Sequence, residues 1–109
     1  MATSTIKQVT NNSGSNYCKM PDGTLIQWGK ESVASKTEKA SLGYHGSKAV
    51  TFAMAFVSLP VVIVCPHEDA GYWNSGCTDI TNIGFKASIA GDQPSVARTV
   101  EWLAIGRWK

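Results

Sequence analysis

Tyr17-Cys18-Lys19-Met20-Pro21-Asp22-Gly23-Thr24-Leu25-Ile26-Gln27-Trp28-Gly29 carries two short runs on either side of Pro21-Asp22-Gly23. Proline pre-sets φ for the second position of a tight turn, and Asp and Gly accept the angles that follow. Beyond the turn the residues alternate, with Leu25, Gln27 and Gly29 on one face and Ile26 and Trp28 on the other. Period two is strand periodicity, so the stretch predicts a β-hairpin with a tryptophan anchored near its end.

Upstream, residues 1–14 are polar, with only Ile6 and Val9 strongly apolar. They are expected to be a linker from a longer protein, weakly ordered unless a partner holds it, which leaves 15–109 as the domain. Downstream, Lys36–Ala40 is charged and suggests a short helical turn. Ser41–Ser47 is a loop by composition, with Tyr44 and His45 at its tip. Val50, Phe52 and Met54 alternate with smaller or polar neighbours as in a half-buried strand, and Pro60 restrains the residue before it into a bend. Val61-Val62-Ile63-Val64-Cys65 is a continuous, largely β-branched run, which predicts a central strand covered on both faces. His67–Gly76 is expected to be a polar loop, followed by strands over Thr78–Thr81 and Ile83–Ile89, then a second polar loop over Ala90–Ala97. The last strand runs from Arg98 to Arg107, with Val100, Trp102 and Ala104 opposing Glu101, Leu103 and Ile105. Short strands, Gly/Pro/Asn turns and no helical period predict a small antiparallel all-β sandwich of about six or seven strands.

A chain of 109 residues suits one core. Only 17% of it is charged, which implies a surface rich in Ser, Thr, Asn and Gly. Such a surface fits a particle component or an extracellular protein that binds polar ligands. Net charge is +2 without a basic stripe, which argues against nucleic acid as partner. No apolar run approaches the ~20 residues of a membrane span, and the N-terminus lacks a secretory signal pattern. Cys18, Cys65 and Cys77 have no CxxC spacing and are expected to be reduced, with Cys18 and Cys65 acting as small hydrophobes inside strands.

The chemistry-bearing residues are sparse. His45 and His67 are the only histidines, each in an expected loop, and no GxSxG elbow is present. Glu68-Asp69 are adjacent carboxylates, whereas glycosidase pairs face one another across a gap. Their spacing with His67 and Asp79 matches no metal motif, so no metal, cofactor or catalytic residue is assigned. Tyr72-Trp73-Asn74 offers a flat apolar ring beside an amide, the combination that stacks on a sugar ring and hydrogen-bonds its hydroxyls. The alternative is that Trp73 folds back over the sandwich edge. Trp28 and Trp102 suit the core or a subunit contact, and Trp108 is either a terminal plug or an exposed ring. The 41–47 loop is a second candidate surface.

Three separated motifs resemble the C-terminal tip domain of bacteriophage tail fibres, the gp53-like family. They are Pro21-Asp22-Gly23-Thr24-Leu25-Ile26-Gln27-Trp28-Gly29; Val50-Thr51-Phe52 with Ala55-Phe56 and Pro60; and Trp102-Leu103-Ala104-Ile105-Gly106-Arg107. The chain departs from the usual pattern at Met20, where Phe is common, at Phe52-Ala53 in place of "FP", and in a longer 36–48 segment. Phe52, Phe56 and Pro60 also match the F-x-x-x-F-x-x-x-P scaffold of the H-type lectins, with Gly84-Phe85 and Trp102 matching later elements.

The resemblance implies a homotrimeric, lectin-like fibre tip on a virion, assembled in the host bacterial cytoplasm and attached to an upstream shaft. Its implied role is non-enzymatic recognition of a bacterial surface glycan such as lipopolysaccharide or capsule. A trimerisation cap or a small polysaccharide depolymerase are the alternatives. H-type lectins bind sugar between protomers, and the position after their "P-x-V-x-V" strand corresponds here to the Glu68-Asp69 loop. The expected ligand-binding set is therefore His67, Glu68, Asp69, Tyr72, Trp73 and Asn74, with Asp92 and Gln93 as neighbours. Four tryptophans on a weakly charged domain also imply an apolar patch for a trimer to cover, with Ile26, Trp28 and Ile105 near the axis or in the core.

Overall fold

The computed structural model describes residues 7–10, 16–36, 39–40, 43–67 and 73–109. Nine strands in two antiparallel sheets account for the regular structure among them. One sheet has five strands, in the order β1 (Lys7–Thr10), β2 (Asn16–Lys19), β3 (Thr24–Ala34), β9 (Ala97–Arg107) and β6 (Val61–Pro66). The other has four, in the order β4 (Lys39–Ala40), β5 (Gly43–Thr51), β8 (Gly84–Gly91) and β7 (Trp73–Thr78). The all-β sandwich expected from the sequence is thus what the chain forms. The two strands not foreseen are short. One of them, β1, lies inside the expected linker and pairs with β2.

The β2–β3 hairpin turns at Pro21-Asp22-Gly23. Gly23 N–H donates to the Met20 carbonyl at 3.1 Å, and Met20 N–H donates to Thr24 O at 2.8 Å. Gly23 has φ +103°, a conformation that strains residues with a side chain. Thr24 N–H donates to Asp22 Oδ1 at 2.9 Å. That backbone donor, ahead of the Thr24 side chain and the charge of Arg107, holds the exposed Asp22 carboxyl below its ordinary range. The C-terminus closes on the same turn. Trp108 Nε1 donates to Met20 O at 2.7 Å, and Arg107 Nη2 donates to Asp22 O at 2.6 Å. Trp108 is half-buried with Lys19 Nζ 4.2 Å from its ring, so it acts as the plug.

Alternation decides the core. Leu25, Gln27 and Val33 of β3 and Val100, Trp102 and Ala104 of β9 are buried between the sheets, facing Phe85, Ala87 and Ile89 of β8. Phe52, Phe56, Phe85 and Trp102 form one ring cluster with centroids 5.0–5.8 Å apart, each such pair worth about 0.5–1.5 kcal/mol beyond its burial. Phe56 and Pro60 lie where a side chain on Gly106 would stand, which explains why the motif ends in that glycine. Gln27 is fully buried and clamps the 52–60 segment: its Nε2 donates to Met54 O at 2.7 Å, and Met54 N–H donates to its Oε1 at 3.1 Å.

Four sequence expectations are corrected. Lys39–Ala40 is strand and not helical turn, and β5 already begins at Gly43 within the expected loop. Glycine was misleading there: Gly46 is a buried strand residue where a Cβ would strike the Ala34 carbonyl. Trp73–Thr78 is strand β7, while Asp79–Ile83 turns the chain. In that turn Thr81 Oγ1 accepts the N–H groups of Ile83 and Gly84 at 3.2 and 3.1 Å. The β-branched run of β6 is an edge strand with one bare face, not a central strand. Cys65 on that face is accordingly exposed, and all three cysteines are free.

Candidate functional site

Strand direction places the candidate residues at one end of the sandwich, away from the Pro21-Asp22-Gly23 turn. Trp73 opens β7 opposite Gly91, and Asp92 and Gln93 continue from Gly91 into the β8–β9 loop. His67 follows β6, where its N–H donates to Thr99 O at 3.0 Å. Glu68, Asp69 and Tyr72 lie outside the described residues.

The geometry divides this set. Trp73 is half-buried and packs on the core, with its ring over the Gly91 position, where a Cβ would collide with it. The Arg98 guanidinium stands 4.9 Å from the ring centroid, within cation–π range. One indole face is therefore already in use, and the fold-back reading describes Trp73 better than a free stacking platform. Arg98 also donates to Gln93 Oε1 at 3.0 Å, and Ser35 Oγ donates to the Gln93 carbonyl at 2.9 Å. Asp92 and Gln93 are exposed beside this assembly. The buried Trp73 Nε1 and Arg98 Nε have no hydrogen-bond partner among the described residues.

His67 and Asn74 turn away from that centre in opposite directions. His67 Nδ1 lies 3.1 Å from Glu101 Oε1, and Lys30 Nζ reaches the same oxygen at 3.6 Å. These three groups edge the outer face of the five-stranded sheet. Asn74 projects onto the outer face of the four-stranded sheet, beside a shallow groove of about 420 Å³ that Lys36, His45, Ser47 and Ser88 also line. Arg98, Lys36 and Ser88 were not foreseen. The alternation of Lys86, Ser88 and Ala90 against Phe85, Ala87 and Ile89 marks an outward face, but a strand pattern says nothing about concavity. Among the described residues no three His, Cys, Asp or Glu side chains gather as a metal site would require.

The chain folds as a two-sheet sandwich that offers polar side chains from strand ends and a loop at one end. The chain belongs to the family described as "tail fiber protein gp53-like, C-terminal", whose pattern it matches over residues 19–107. Similar solved structures are pyocin fibres. The P. aeruginosa R1 pyocin fibre is 18% identical at a TM-score of 0.62, the match covering 96% of this chain and 28% of that one. The P. aeruginosa R2 pyocin fibre is 18% identical at 0.61, covering 97% and 26%. An N-truncated R1-type pyocin tail fibre is 18% identical at 0.62, covering 96% and 86%. The chain thus spans about a quarter of the two longer fibre fragments. At such identity the likeness speaks to fold. No curated protein matches the chain.

Proposed function

We propose that this domain is the distal, receptor-recognising end of a tail fibre on a phage or phage-derived particle, and that it binds a bacterial surface glycan without cleaving it. Lipopolysaccharide or capsule is the substrate class, and the upstream shaft is the covalent partner. The carrying observation is that a tail-fibre C-terminal family member presents the exposed polar side chains of Asp92, Gln93 and Asn74, with half-buried Arg98 beside them, at one end of the sandwich. Adsorption to a panel of host surface-polysaccharide mutants tests the reading. The parent should bind some strains and not others, and a double Asp92→Ala/Gln93→Ala variant should adsorb at least tenfold less with unchanged thermal unfolding. Equal adsorption of parent protein to all polysaccharide mutants would remove glycan recognition from the account.

The working unit in this proposal is a homotrimer, assembled in the host cytoplasm. Its support is the outer face of the five-stranded sheet. Register stacks Ile26, Ile105 and Val61 in one row and Trp28, Leu103 and Ile63 in the next. Val61 and Ile63 are 66% and 55% exposed, an apolar strip that a monomer would leave in water. Three linked sites would gain avidity over one shallow site by ~10²-fold or more. The same strip favours a second reading, a trimerisation cap that binds no receptor, for which adsorption would not change in the Asp92→Ala/Gln93→Ala variant.

A further inference from the structure

We propose that the groove on the outer face of the four-stranded sheet is a saccharide subsite selective for sugars carrying an anionic group, a carboxylate or a phosphate ester. This rests on the glycan-recognition reading above and names a site and ligand class for it.

Register builds the groove. His45 and Asn74 both pair with Ala90, so His45, Ala90 and Asn74 stand in one row; Ser47, Ser88 and Gly76 make the next. Strands about 4.8 Å apart put the outer members of each row about 10 Å from one another, a width that spans a pyranose ring. The floor is Ala90, Ser88 and Gly76, none large enough to fill it. Lys36 closes one flank, held there by its N–H donating to the His45 carbonyl at 2.8 Å. At about 420 Å³ the groove lies within the range of small-molecule sites, roughly 300–1,000 Å³.

The lining sets the ligand chemistry. The side chains of Lys36, His45, Ser47, Asn74 and Ser88 have no hydrogen-bond or ion-pair partner among the described residues, although other polar side chains do: Ser35, Ser75 and Thr81 bond backbone, and Lys30, Lys48 and Lys86 pair with carboxylates. Hydroxyls and an amide that accept and donate suit vicinal sugar hydroxyls. Among the described residues no carboxylate lines the groove, and Lys36 supplies its formal charge. An ammonium with no carboxylate partner among the described residues, at the flank of a hydroxyl-rich groove, complements a sugar acid or sugar phosphate better than a neutral sugar. Among the described residues no aromatic ring lines the groove, so polar contacts and charge would govern selectivity there.

Glucuronate, glucose 6-phosphate and glucose separate the possibilities when titrated into the isotope-labelled oligomer and followed by amide shifts. Glucuronate, glucose 6-phosphate or both should move the amides of His45, Ser47, Asn74, Gly76 and Ser88, with glucose at least tenfold weaker. Which of the two anions binds identifies the source. Lys36→Ala should erase the preference over glucose, and Ser88→Tyr should abolish all binding by filling the floor. Thr78→Tyr, on the same face outside the groove, should change neither. The proposal is overturned if no probe shifts these amides, if shifts map elsewhere, or if glucose binds the parent as well as the anionic sugars. It can fail separately from the wider reading, because defined sugars test the groove with no host cell present, whereas adsorption tests glycan recognition whatever the groove holds.

Discussion

The two outer faces of the sandwich are built by the same alternation and end in opposite chemistry. On the five-stranded sheet the outward rows are Ile26–Ile105–Val61 and Trp28–Leu103–Ile63; on the four-stranded sheet they are His45–Ala90–Asn74 and Ser47–Ser88–Gly76. Both sheets hide an apolar inner face, so neither outer face is needed to make the core. The first is costly to leave in water, since burying an aliphatic side chain contributes about 1.5–3 kcal/mol. The second is well solvated and gains little from covering by protein. In the proposal made above, the first face meets another copy of the chain and the second a polar ligand.

The largest expected effect breaks the first face. A double Ile63→Asp/Ile105→Asp variant should convert a trimer entirely to an 11.7 kDa species in sedimentation velocity at micromolar concentration. Ser47→Asp/Ser88→Asp on the other face should leave assembly intact. A parent that sediments only as the 11.7 kDa monomer removes the contrast between the faces.

An intermediate effect lies between the faces. Gln27→Leu leaves the Met54 N–H and carbonyl without their partner, and buried unpaired polar groups cost about 1–3 kcal/mol each. Denaturant unfolding at fixed protein concentration should show a loss of about 2–4 kcal/mol. A loss below about 1 kcal/mol would mean that water takes over the clamp.

The smallest effect sits at the hairpin turn, remote from both the groove and the candidate residues. The Asp22 carboxyl is held below its ordinary range by the Thr24 N–H, so its contribution is complete above the unfolded-state value. It is lost as pH falls through the lower folded-state value. Asp22→Ala should lower the melting temperature slightly at pH 7 and match the parent once acid has protonated the carboxyl. A constant difference between the two across that range would assign the effect to turn propensity instead of charge.

Much of this was written in local sequence. Pro21-Asp22-Gly23 specified its turn because φ preferences act within a few residues. The alternation of Leu25 to Gly29 and of Val100 to Ile105 specified inner and outer faces because side-chain direction on a strand has period two. Family membership was legible in short motifs too, and their residues Phe52, Phe56, Pro60, Trp102 and Gly106 pack together as one contiguous unit. Tertiary structure alone decided what those patterns left open. A β-branched run looks the same whether its second face meets its own chain or another, so β6 could be placed at the sheet edge only by its pairing with β9. Gly43 and Gly46 signal a loop by composition, yet Gly46 is a strand residue because the Ala34 carbonyl of the facing sheet comes too close for any side chain. Trp73 could as well have stacked on a ligand as on the core, and the choice was made by Gly91 and Arg98, distant in sequence and adjacent in space. The groove is the extreme case, because concavity arises from how three strands set small residues side by side, and no single strand encodes it.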